Sequence, residues 1–239
     1  MSIFKRTSIL MSSLALASTL FVVGASSVAQ ASVKNPTASS VLTASAAALK
    51  TEIGVHVKVS TTNGKVTTKV TAKIGTVDGT ETYVSGAEKF SITVTPTYAY
   101  LSGSKTGLVT LMGLTATEQK KVGSSSVAMK KGTAPYTTFK TNLTSGTFSA
   151  LLPAVKGTTL LAARDKATNG YQLSWVTKAT STAPKSTSVL TISSGKKALP
   201  IKEAVTTSTG HSTTSFTKWG KKVTVVAPTK TIAYASVFG

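Results

Sequence analysis

"VHVKVSTTNGKVTTKVTAKI", residues 55–74, decides the fold class of this chain. Side chains along a strand alternate between its two faces, so Val55, Val57 and Val59 share one side while His56, Lys58 and Ser60 take the other. Asn63-Gly64 follows, a pair suited to the positive φ of a tight hairpin turn. Beyond it Val66, Val70, Ala72 and Ile74 return to one side, with Lys65, Lys69 and Lys73 opposite. The stretch predicts a two-stranded ribbon, apolar on one face and cationic on the other.

The same alternation recurs downstream. After Asp78-Gly79, Phe90, Ile92 and Val94 alternate with Ser91, Thr93 and Thr95, and Pro96 introduces a short strand carrying Tyr98 and Tyr100. Residues 158–163, 171–177, 187–193, 199–207 and 212–226 read as further strands, with Asn169-Gly170 as a turn and Tyr171, Leu173 and Trp175 on one face. Helical spacing is confined to three places. Leu42, Ala46, Leu49 and Ile53 define an amphipathic helix over 39–53. Residues 108–122 contain Thr115 and Glu118 as a capping box. Residues 135–152 hold one or two more helices, with Tyr136, Phe139, Leu143, Phe148, Leu151 and Leu152 as their apolar set. The class is α+β: a large curved antiparallel sheet, an unclosed β-barrel of about 10–11 strands, with helices covering its concave face because so wide an apolar face cannot stay in water.

At the N-terminus Lys5 and Arg6 precede an apolar run from Ile9 to Ala25, and "FVVGASSVAQAS", residues 21–32, places Ala29 and Ala31 where signal peptidase reads small residues. The expected organisation is a signal peptide, 1–31, cleaved after Ala31, followed by one domain, 32–239. Cleavage would take Lys5 and Arg6 from the 27 basic residues and, against 7 acidic ones, leave a net charge of +18. Anionic envelope lipids or wall polymers are the partners such a surface attracts. Nucleic acid is not expected, because export removes the chain from the cytoplasm and the lysines are dispersed rather than set among stacking aromatics. The chain has no cysteine, which excludes disulfides and a thioether-linked lipid anchor. Localisation is therefore expected to be secreted or in the cell envelope without a lipid anchor.

No catalytic or metal site is expected. His56 and His211 have no partner at metal-ligand spacing, Asp78 and Glu81 flank a glycine turn as solvated residues, and no serine sits in a G-x-S-x-G elbow. No enzyme activity and no cofactor follow from the sequence. Residues 107–153 are rich in Gly and Ser and carry Met112 and Met129, whose unbranched chains adapt to variable shapes, which suits a lid.

"SVLTISSGKKALPIKEAVTTSTGHSTTSFTKWGKKVTVVAP", residues 188–228, with "NGYQLSWV" at 169–176 and the helix-into-strand entry at 45–60, resembles the LppX/LprG family of actinobacterial envelope proteins, relatives in fold of the LolA and LolB carriers. The similarity lies in a strand ending in L-P, a turn, then F-x-x-W-G-x-x-V-x-V-x-x-P. It implies an open barrel, capped by helices, that holds the acyl chains of a lipid or acylated lipoprotein. The apolar residues that would line it are Phe90, Ile92, Val94, Tyr98 and Tyr100 on strands, Leu111, Met112 and Met129 in the lid segment, Phe139, Leu143, Phe148 and Leu151 in the helical cover, and Tyr171, Leu173 and Trp175 in the second half. Two departures stand out. Gly24-Ala25-Ser26 occupies the place of a lipidated-cysteine motif, and the middle segment matches the family poorly. Burying a chain of about 16 carbons yields roughly 12 kcal/mol before the loss of motion is subtracted. The competing reading is a basic structural or adhesive wall protein with no ligand.

Overall fold

The computed structural model describes residues 36–145, 148–152, 161–165, 167–181 and 184–239. The expected leader, 1–31, and the first three residues of the strand expected at 158–163 lie outside the described residues.

Alternation is realised first in a hairpin. Strand β1 (Gly54–Asn63) pairs antiparallel with β2 (Val66–Gly75) around the Gly64-Lys65 turn, where Gly64 has φ 57°. Val55, Val57, Val59, Val70, Ala72 and Ile74 are all buried. Val66 has the inward parity but is 58% exposed, because the hairpin tip projects past the helical cover. Polar pairs occupy the inner face near that end: Thr61 with Ser212 at 2.9 Å and Thr68 with Ser85 at 3.1 Å.

The ribbon grows on both sides. β3 (Gly79–Ser85), β4 (Glu88–Val94), β5 (Tyr98–Gly103) and β6 (Ser126–Lys130) extend it one way. The other side is built by β11 (Gly210–Thr217), β10 (Pro200–Thr207), β9 (Ser186–Ser193), β8 (Gly170–Thr177) and β7 (Leu161–Asp165). The short β12 (Thr231–Ala233) lies parallel to β6, and all other neighbours are antiparallel. The sheet has twelve strands, β12-β6-β5-β4-β3-β2-β1-β11-β10-β9-β8-β7, and is not closed.

The strand count exceeds the expected 10–11 because β3, β6 and β12 were not anticipated. β3 escapes a reading of hydrophobic alternation because its inward positions are Gly79, Glu81, Tyr83 and Ser85. The strand expected over 212–226 stops at Thr217, since Lys218 and Gly220 take positive φ of 55° and 72° and turn the chain away.

Helices cover the apolar face. α1 (Ala38–Leu49) is capped by Thr37, whose Oγ1 accepts from the Ser40 amide, and ends before Ile53, which is exposed. α2 (Lys105–Met112), which stops at Gly113 in the left-handed conformation, precedes the short helix expected within 108–122, α3 (Ala116–Val122), which starts at the Thr115–Glu118 capping box. α4 (Ala134–Leu143) lies across β2 to β6, a 3₁₀ turn follows at Phe148–Leu151, and α5 (Tyr234–Phe238) ends the chain. Among the described residues no helix is long and apolar enough to cross a membrane.

α4 is seated where a side chain is missing. A Cβ on Gly79 would collide with the Leu143 carbonyl oxygen, and the bond from the Ser145 amide to the Gly75 carbonyl, 2.9 Å, fixes the chain beyond the helix on the neighbouring strand. Gly79→Ala is therefore expected to lower stability by about 2 kcal/mol or more, because backbone rather than a flexible side chain must move. Urea unfolding checks this; an unchanged midpoint would mean that α4 does not rest on β3.

Candidate apolar binding site

Strand register determines which side chains meet under the cover. One inward row runs Phe216, Val57, Ala72, Glu81, Ile92, Leu101, Val127 across seven strands. The next carries Val59, Val70, Tyr83 and Phe90, with Tyr83 stacked on Phe90 at 4.7 Å between ring centroids. Tyr136 of α4 is buried in the same cluster and donates its hydroxyl to the Pro96 carbonyl at 2.9 Å, satisfying the polar tip of a buried ring.

Most of the expected lining residues come together here. Phe90, Ile92, Val94, Leu111, Met112, Met129, Phe139, Leu143 and Phe148 are buried in one cluster, and Leu151 packs against it. Met129 lies on β6 opposite Ala99, not in a lid. Leu173 belongs to a second cluster with Val41, Leu42, Leu190 and Ile192, against which Tyr171 and Trp175 pack half-buried. Leu152 packs against both clusters, while Leu199 and Trp219 border the first. Trp219 meets Phe148 edge-on at 5.8 Å and donates to the Pro200 carbonyl at 2.8 Å. Two expected positions are corrected. Tyr98 and Tyr100 stand on the outer face, stacked on each other at 5.8 Å, because on β5 the inward parity belongs to Ala99 and Leu101.

Two acidic residues occupy the inward side, and sequence reasoning missed both. Glu81, expected as a solvated turn residue, is 8% exposed, with no hydrogen-bond partner for its Oε1 atom. Glu203 on β10 is half-buried between Leu190 and Thr214. Loss of solvation pushes each carboxyl up from 4.5 to about 7. The signal available for Glu81 was Tyr83 two residues later, which marks the parity of an inward face. Glu52 contrasts with Glu81: also buried, it pairs with Lys197 at 2.6 Å.

The outer face is cationic and hydroxylated. Lys58, Lys69, Lys73, Lys89 and Lys202 alternate there with Ser and Thr. Burial first, then the charges of Lys218, Lys73 and Lys58, hold the His56 imidazole below its ordinary value. Among the described residues no group of three or more His, Asp or Glu is placed to hold a metal ion.

Neither a protein-family model nor a curated protein matches the chain. Among solved structures, it is similar to LprF from Mycobacterium bovis, at 14% identity and a TM-score of 0.47, over 81% of this chain and 99% of LprF. It is similar also to the lipoprotein LppX from Mycobacterium tuberculosis, at 15% identity and a TM-score of 0.45, over 80% of this chain and 100% of LppX. A DUF1329 family protein from Desulfovibrio piger is more distant, at 7% identity and a TM-score of 0.32, with 79% of this chain and 94% of that one covered.

The raised carboxyls have a thermodynamic consequence. Between pH 4.5 and 7 the folded protein keeps protons on Glu81 and Glu203 that the unfolded chain has lost, so this contribution to stability is full below pH 4.5 and declines as pH rises to about 7. A shift of that size corresponds to at most on the order of 3 kcal/mol for Glu81, and less for the wetter Glu203. Urea midpoints measured from pH 4.5 to 7.5 are expected to fall, and Glu81→Gln to flatten part of the slope. A slope unaltered by that substitution would place Glu81 in water.

Proposed function

We propose that this protein is an exported carrier or binder of acyl chains, holding the hydrocarbon of a lipid or acylated protein between the sheet and its helices. The observation that carries this reading is the construction of the interior. One open sheet presents a broad apolar face, and short separate helices cover it in place of a second sheet. Its two clusters share half-buried Leu152, with Tyr171, Trp175, Leu199 and Trp219 also half-buried at their margins. Half-buried aromatic and aliphatic side chains lining such a junction give hydrocarbon a place to enter at little cost, since each methylene removed from water contributes about 0.8 kcal/mol. The resemblance of residues 188–228 to LppX/LprG proteins supplies the ligand class. No catalytic role is proposed. The leader read at 1–31, and a chain without cysteine, support release into the envelope or medium without a lipid anchor.

A second reading has its own support. The outer-face lysines favour attachment to anionic wall polymers, with the interior serving as an ordinary core. The two readings separate by experiment. Native mass spectrometry of protein purified from its own host is expected to find a co-purifying lipid, and a fluorescent fatty acid to be taken up with a change in tryptophan emission. Ligand-free protein that ignores the fatty acid, yet binds isolated wall and is released by salt, would favour the second.

A further inference from the structure

Glu81 is out of place in a plain apolar core. On the inner face of β3 it has Ala72 on one side and Ile92 on the other, in the row that continues to Leu101 and Val127. The side chain is buried and its Oε1 atom accepts no hydrogen bond. Ser45 Oγ and Asp78 Oδ1 are likewise buried without a partner, whereas the buried Glu52 carboxylate pairs with Lys197 and the Tyr136 hydroxyl is aimed at the Pro96 carbonyl. No such partner meets Glu81: among the described residues the one ion pair is that of Glu52. An unmade hydrogen bond in such surroundings is unfavourable unless a visiting group completes it.

The character of that group follows from the neighbourhood. The C-terminal end of α4 rests on Gly79, two residues before Glu81 on the same face, and helix C-termini carry partial negative charge from their free carbonyls. The oxygen atoms of the carboxyl and of the helix end accept hydrogen bonds, so a hydroxyl, an amide N–H or an ammonium is favoured at this point over a group with no donor.

The geometry points to Glu81 as the specificity-determining contact of the interior, accepting a hydrogen bond from a donor group carried by an otherwise apolar ligand. This rests on the carrier reading and adds the class of ligand: long-chain alcohols, amides or amines in preference to chains without a donor.

The test uses displacement of a bound fluorescent fatty acid by hexadecan-1-ol, hexadecylamine and methyl hexadecyl ether, which match in chain length and differ in the donor. Wild-type protein is expected to bind the alcohol about tenfold more tightly than the ether, the worth of one buried hydrogen bond. Glu81→Gln should keep the preference for the alcohol and lose that for the amine, because an amide accepts a hydrogen bond but carries no charge. Glu81→Met should bind alcohol and ether equally, with ether affinity within about twofold of wild type, which a merely structural role would not produce. Equal binding of alcohol and ether by wild type, or a preference that survives Glu81→Met, overturns the assignment and leaves the carrier reading standing. Failure of wild type to bind the fluorescent acid and all three competitors ends the carrier reading, and this assignment with it.

Discussion

An open sheet with one apolar face has to be covered, and the rest of this molecule follows from how that is done. A barrel that closes on itself removes its edges and hides its lining, and a sandwich hides one sheet with another. Here the edges β12 and β7 remain apart, and the cover is assembled from α1, α2, α4 and the 3₁₀ turn at Phe148–Leu151. Short helices present narrow apolar stripes, so they cover the sheet piecemeal and leave junctions between them. Leu152, touching both clusters, marks one such junction.

Where the cover ends, the inner face changes chemistry. Toward the Gly64 hairpin the inward positions become Thr61, Ser212, Thr68 and Ser85, paired with one another across strands. Hydroxyl pairs let the sheet continue into water without an exposed oily surface. The outer face is treated differently again. Lysines spread over several strands make it cationic, and their charges add to the effect of burial in depressing the His56 imidazole.

Glu81 stands apart because a buried, unpaired carboxyl lowers stability and gives nothing back to packing. Local rules of this kind are broken most often at functional sites, where a ligand completes what folding leaves open. Its position beside the seat of α4 joins a tight backbone contact, Gly79 against Leu143, to an unpaired carboxyl oxygen of the interior. A group bound there would lie at the joint between sheet and cover.

Strand alternation, hairpin turns and the Thr115–Glu118 cap are properties of neighbours in sequence. The sequence by itself therefore determined the α+β class, the one-sided β1–β2 ribbon, the general extent of the cover and most of its apolar residues. It did so because burial periodicity is written into every second or every third and fourth side chain. What lay beyond it came from contacts between distant segments. Parity along β5 is decided by pairing with β4 and β6, which put Ala99 and Leu101 inside and left Tyr98 and Tyr100 outside. Tertiary structure decided the surroundings of Glu81: Tyr83 hints at its parity, but nothing in Thr80-Glu81-Thr82 states that Ala72 and Ile92 will flank it. A charged residue reads as solvated until the register of two neighbouring strands removes its water.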